Sequence, residues 1–156
     1  MEISFTKRKK NDHIISCKRK DGSVTWMHNS PFFITHDICH YALETTLQLK
    51  KGFYGLVAAG TDIKEFDLPR EKRTVQLTDE SIFAEQMVNL LTIEYSQGIM
   101  ENFMVTIKEV CAKNGIKTMP EMNEEQLQEI RNLYRQLMNQ WNLLLPEETM
   151  NLIFEE

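Results

Sequence analysis

A chain of 156 residues, 42% hydrophobic and 26% charged, is long enough to bury a core and ordinary enough in composition to be one globular domain. Its net charge of −5 argues against general nucleic-acid binding, which wants a basic face. Cys17, Cys39 and Cys111 are too far apart and odd in number for a disulfide framework, and no Cys-x-x-Cys pair offers a zinc ribbon.

The start, Met1 to Lys10, lacks the apolar stretch of a signal peptide, and no apolar run approaches ~20 residues. The expectation is a cytoplasmic protein with free thiols and no membrane span. The charge is uneven: residues 1–28 carry seven Lys/Arg against three Asp/Glu, whereas residues 29–156 carry a net −9. Lys7-Arg8-Lys9-Lys10 and Lys18-Arg19-Lys20 supply the excess. They read as hairpin ends in water, because no interleaved aromatics mark a nucleic-acid contact.

Residues 1–28 read as strands. Ile3 and Phe5 alternate with polar neighbours, and Ile14–Cys17 and Val24–Met27 flank Asp21-Gly22, a tight-turn dipeptide. An N-terminal three-stranded antiparallel meander follows. So small a sheet is marginal alone and needs helices on its apolar face.

Asn29-Ser30-Pro31 punctuates the chain. Ser30 or Thr35 can cap a helix, and Pro31 suits its first turn. Phe32 to Lys51 is helical in character and apolar nearly all round, the mark of a helix buried on several sides. Gly52 breaks it before a short helix, Phe53 to Ala59, closed by Gly60. Residues 61–79 form a long polar loop, with a short strand expected at Thr74 to Leu77. A helix from Glu80 to Gln97 follows, capped by Thr78 or Asp79, and after Gly98 another runs from Ile99 to Lys113. Asn123 with Gln126 makes a capping box. The helix it opens carries Leu127, Ile130, Tyr134, Leu137, Trp141 and Leu144 on one stripe until Pro146. The tail, Glu147 to Glu156, is expected to add a helical turn or two. The whole is a single α+β domain over 1–156, a β-meander (1–28) followed by a helical part (29–156) of four to five helices.

One place writes chemistry. On a helix from Thr35 to Lys50, His36, His40 and Glu44 stand four apart, drift only ~40° per step and lie ~6 Å apart along the axis. Two imidazoles and a carboxylate on one stripe present ligands to a divalent metal, with Zn²⁺ the first expectation. Buried polar groups must satisfy one another or share an ion. The plain alternative has His36 and Asp37 serving the helix start and Glu44 facing water. A further ligand can come from the Glu80–Gln97 helix. There Glu94 falls within the apolar stripe, while Glu85 lies on the opposite side with Asn89 and Thr92, so Glu94 ranks above Glu85.

His36-Asp37-Ile38-Cys39-His40 resembles the HExxH motif of zincin metallopeptidases, with Asp37 in the place of the general-base Glu. That resemblance covers residues 36–44 and implies His36 and His40 as ligands, a third from Glu44 or elsewhere, and Asp37 as base. The same five residues resemble the His-Asp doublet of HD-domain phosphohydrolases. That family takes a further His from an earlier helix. Here only His13 and His28 lie upstream, both in strand-like segments, and His28 is the candidate extra ligand. The pattern His-Asp-x-x-His-x-x-x-Glu with the later Gly-Phe-x-Gly-Leu also resembles a small uncharacterised bacterial family, which implies no activity.

The expectation is a divalent-metal protein, a metal-dependent hydrolase of a small-molecule or peptide substrate. Its ligands are His36, His40 and Glu44 or Glu94, its base Asp37, and neither nucleic acid nor membrane is its partner. The rival is a non-enzymatic interaction module, with the 127–144 helix as a homodimer surface on a segment (118–156) holding two Arg against eight Glu. Burial of that stripe in the chain's own core is the simpler outcome.

Overall fold

The computed structural model describes residues 1–155, Arg70 by its backbone alone. Strands β1 (Glu2–Thr6), β2 (His13–Lys18) and β3 (Val24–Asn29) form the meander. Helices α1 (Pro31–Leu47), α2 (Phe53–Ala58), α3 (Asp79–Gln97), α4 (Phe103–Lys113) and α5 (Glu124–Leu143) follow, and a fourth strand, β4 (Thr149–Ile153), ends the order. The fold is α+β, as the patterning predicts.

The sheet is antiparallel throughout, in the order β3-β2-β1-β4. Strand alternation places Ile3, Phe5, Ile15, Cys17, Met27 and Met150 on one buried face. Register puts Phe5 opposite both Ile15 and Met150, so this face is continuous across the sheet. The tail thus forms a strand and not the expected turns. Thr149-Met150-Asn151-Leu152-Ile153 has period-two burial, and β1 offers it a free hydrogen-bonding edge.

Helix α1 packs against α3 on one side, α5 on another and the sheet beneath. That threefold burial explains why its sequence is apolar almost all round. Ser30 is its N-cap and Pro31 its first residue. It stops at Leu47 because Gln48 turns left-handed (φ 53°), its N–H closing on Thr45 O. Thr78 and Ser81 cap α3, and Asn123 and Gln126 cap α5, each pair reciprocally. Helix α4 starts four residues later than expected, at Phe103, since Gly98 takes φ 103° and the chain re-enters the helix only beyond Asn102. No strand forms at Thr74 to Leu77. Thr74 gives both its N–H and its hydroxyl to Glu65 (2.9 and 3.1 Å), and 3₁₀ turns at Ile63–Asp67 and Arg70–Lys72 shape the loop instead.

The stripe on α5 faces inward: Leu127, Ile130, Tyr134, Leu137, Met138 and Trp141 are all buried in this chain's own core. Several of the basic hairpin residues are structural. Lys7 donates to the last carbonyls of α5, Trp141 O and Asn142 O (3.1 and 3.2 Å), where a cation complements the helix dipole. Arg19 holds Val57 O (2.6 Å) and Thr61 O (2.7 Å), tying the end of α2 to the β2–β3 hairpin. No helix among the described residues is long and apolar enough to cross a membrane.

Gly55 tests the tight seat of α2. An added methyl there would strike the Lys50 backbone, which cannot swing aside as a side chain can. Helix propensity alone favours Gly→Ala by up to about 1 kcal/mol. The clash outweighs it, and Gly55→Ala is expected to lower stability by about 2 kcal/mol, read from the urea midpoint.

Candidate metal centre

The two histidines of α1 lie side by side. Their ring centroids are 4.8 Å apart, as four-residue spacing on one helix requires. His40 is buried and His36 nearly so. Above them α3 brings Glu85, whose carboxylate straddles the pair: Oε1 is 3.3 Å from His36 Nε2 and Oε2 is 3.3 Å from His40 Nε2. Among the described residues these three ligand atoms form a group lying within 4.8 Å of one another, the one such His/Cys/Asp/Glu cluster that could hold an ion.

Glu44 takes a different part from the one its spacing suggests. It is fully buried, and its Oε1 meets the other nitrogen of His40, Nδ1, at 3.0 Å. Its Oε2 accepts the first amides of α2, Tyr54 N (3.0 Å) and Gly55 N (3.2 Å). Both oxygens are therefore engaged away from Glu85. Gly52 makes this possible, since a side chain there would occupy the place of the Glu44 carboxylate. Glu44 orients His40 from behind and stands outside the ligand group.

Glu94 is also placed elsewhere. It is buried, as its position on the apolar stripe implies, but its counter-charge is Arg131 of α5, which binds it with two parallel bonds, Nε–Oε1 at 2.7 Å and Nη2–Oε2 at 2.9 Å. The ranking of Glu94 over Glu85 is thus reversed. Glu85 is half-exposed, its side chain 49% accessible, and reads as a water-facing residue until α1 is packed against α3. Nothing in the sequence marks it, since its neighbours on that side of the helix, Asn89 and Thr92, are polar.

Asp37 is buried beside His36. Its Oδ2 accepts from Asn29 Nδ2 at 2.6 Å, and its Oδ1 lies 3.8 Å from His36 Nδ1. The upstream histidines stay apart. His13 accepts from Arg8 N (3.0 Å) and packs edge-on against Trp141, while His28 pairs with Asp12 (3.1 Å) on the solvent side of β3.

The electrostatics follow from this crowding. Burial works against charge on His40, but the Glu44 and Glu85 carboxylates outweigh it and push its pKa up to about 9. His36 is shifted upward in the same way, against its burial, by Asp37 and Glu85. Glu85 also feels burial, yet the two imidazoles hold its carboxyl far below the usual range. Asp37 shifts upward because its burial exceeds the help His36 gives.

The cluster opens onto a cavity of about 610 Å³ between α1, α3 and the 61–78 loop, walled by Phe32, Phe33, Phe53, Phe66 and Arg73 as well as the imidazoles. That volume lies within the range of small-molecule sites, about 300–1,000 Å³. Comparison with protein-family models, with curated proteins and with solved structures finds no match to this chain.

Proposed function

We propose that this protein binds one divalent metal ion, Zn²⁺ foremost, through His36 Nε2, His40 Nε2 and Glu85, and uses it in a hydrolytic reaction within the adjoining cavity. The observation that carries this reading is the pair of 3.3 Å nitrogen–oxygen separations. A charge-assisted N–H···O bond is normally about 2.7–2.9 Å. The edge of a tetrahedron with metal–ligand bonds of about 2.0–2.1 Å is about 3.3–3.4 Å; one ligand atom from each of the three residues already lies within 4.8 Å of the others, so a small inward movement would bring them onto one ion.

The surroundings support the same reading. His40 Nδ1 faces the Glu44 carboxylate, the carboxylate–histidine arrangement that fixes the tautomer and leaves Nε2 free to bind. Asp37 stands 3.8 Å from His36 Nδ1 and lines the cavity. Its raised basicity also keeps it as the proposed acceptor of a proton from water. Three protein ligands leave a fourth position open, the pattern of catalytic zinc. A bound ion supplies a water of lowered pKa and polarises a carbonyl oxygen.

The test is direct. Metal-stripped protein titrated with Zn²⁺ should take up about one ion per chain, the His36→Ala/His40→Ala double variant none, and Glu85→Gln should bind at least roughly tenfold more weakly. Unchanged stoichiometry in the double variant would remove the proposal. Uptake at neutral pH should also release protons into solution, since His40 is protonated below about 9 in the metal-free chain.

A further inference from the structure

The cavity beside the cluster is built for more than water. Phe53 and Phe66 pack edge-to-face at 4.7 Å, and Phe53 also lies against His40, with centroids 5.2 Å apart, so an aromatic wall runs from the imidazole outward. Phe32 and Phe33, on the first turn of α1, line the same cavity and are 67% and 48% exposed. Folding gives no reason to leave two adjacent phenylalanines in water at the mouth of a cavity, whereas an apolar ligand does.

The cavity also holds a guanidinium, that of Arg73. Its Nε donates to Leu68 O at 2.7 Å, which anchors the guanidinium. No carboxylate among the described residues pairs with its Nη groups, and the cavity's acidic residues, Asp37, Asp67 and Glu85, leave them unmatched. A guanidinium fixed at one nitrogen, with its fork unpaired beside aromatic walls, suits a planar carboxylate. A phosphate dianion fits less well, since Asp37, Asp67 and Glu85 line the same cavity and oppose its second negative charge.

We propose that the cavity takes a small organic acid that joins an aromatic group to a carboxylate. The carboxylate binds the Arg73 Nη groups, and the ring lies against Phe53 and Phe66. This proposal rests on the metal reading only for what the site would do with such a molecule, because its binding determinants are separate from His36, His40 and Glu85.

Calorimetric titration with 3-phenylpropanoate, its neutral amide and phenyl phosphate tests it, on both zinc-loaded and metal-stripped protein. The acid should bind with Kd below about 1 mM, and the amide at least roughly tenfold more weakly. Arg73→Met should bring the acid down to the level of the amide and leave the amide unchanged. Arg73→Lys should recover part of the loss, because it restores the charge without the fork. Phe66→Ala should weaken acid and amide alike. Equal binding of acid and amide, full affinity in Arg73→Met, tighter binding of phenyl phosphate than of the acid, or no binding of the acid at millimolar concentration would each overturn the proposal. A thermal melt of Arg73→Met guards against misfolding. Should the chain fail to take up Zn²⁺ while Arg73-dependent acid binding persists, the metal reading fails and this one stands.

Discussion

Replacing Glu44 with Ala is expected to cost about 3–5 kcal/mol. Glu44 is fully buried and accepts from three donors at once: His40 Nδ1, Tyr54 N and Gly55 N. Removing it strands two backbone amides and an imidazole where water does not reach. Chemical denaturation measures the loss directly, and a change below about 1 kcal/mol would mean that α2 does not depend on this carboxylate.

The same variant carries a pH signature in metal-free protein. His40 has its proton held to about 9 in the fold, against 6.5 for the free side chain. The folded state binds more protons between those values, so this contribution is fully present below 6.5 and is lost as pH rises through about 9. Its ceiling is on the order of 3 kcal/mol. Denaturation midpoints of EDTA-treated wild type should fall across that window, and those of Glu44→Ala should fall less. Glu44→Gln separates folding from metal: it preserves shape and an acceptor for the α2 amides, yet turns an amide N–H, a donor, toward Nδ1, which favours the tautomer with its proton on Nε2. Zinc affinity should fall about 10–100-fold while most stability survives.

The second large effect belongs to Glu94 and Arg131. Their side chains are 6% and 11% exposed, and Arg131 also lies over the Phe103 ring, 5.4 Å from its centroid. Arg131→Met leaves a carboxylate buried without its counter-charge and should cost about 3–5 kcal/mol. Glu94→Leu combined with Arg131→Met should recover most of that loss, to within about 1 kcal/mol of wild type, because two desolvated charges are exchanged for apolar contacts. Zinc stoichiometry should be the same in all three chains. A double variant as unstable as Arg131→Met alone would show that the loss does not come from the stranded Glu94 carboxylate.

These two glutamates mark where the sequence was readable and where it was not. Helical spacing alone puts His36 and His40 on one face, and they meet. The apolar stripe of α3 alone says that Glu94 is buried and must have a partner. What spacing within one helix cannot give is the partner's identity, which depends on how helices pack across the core. Arg131 lies 37 residues away on α5, and Glu85 reaches His40 across 45. Glu85 ranks below Glu94 by sequence because its own helix makes it look solvated; only the approach of α1 turns its carboxylate into a shared partner of two imidazoles. Glu44 kept its predicted face, and its carboxylate is taken up by His40 Nδ1 and the α2 amides, since α2 folds back over it at Gly52. The meander and the α5 cap were legible because they rest on local chemistry, Asp21-Gly22 and Asn123 with Gln126; for α3 Thr78 was one of two candidate caps, and its pairing with Ser81 came only with the structure. Strand β4 was not, because a five-residue segment becomes a strand only when another strand edge accepts it.

That strand has a kinetic consequence. Thr6 and Thr149 meet across 143 residues. Closing so long a loop carries a length-dependent entropy of roughly 4 kcal/mol, far above that of the Asp21-Gly22 hairpin. The hairpin therefore assembles early and β4 docks late. In the interval β1 exposes an unpaired hydrogen-bonding rim beside Ile3 and Phe5, open to the same rim of another chain. Refolding yield should accordingly drop with protein concentration even where the finished molecule stays soluble.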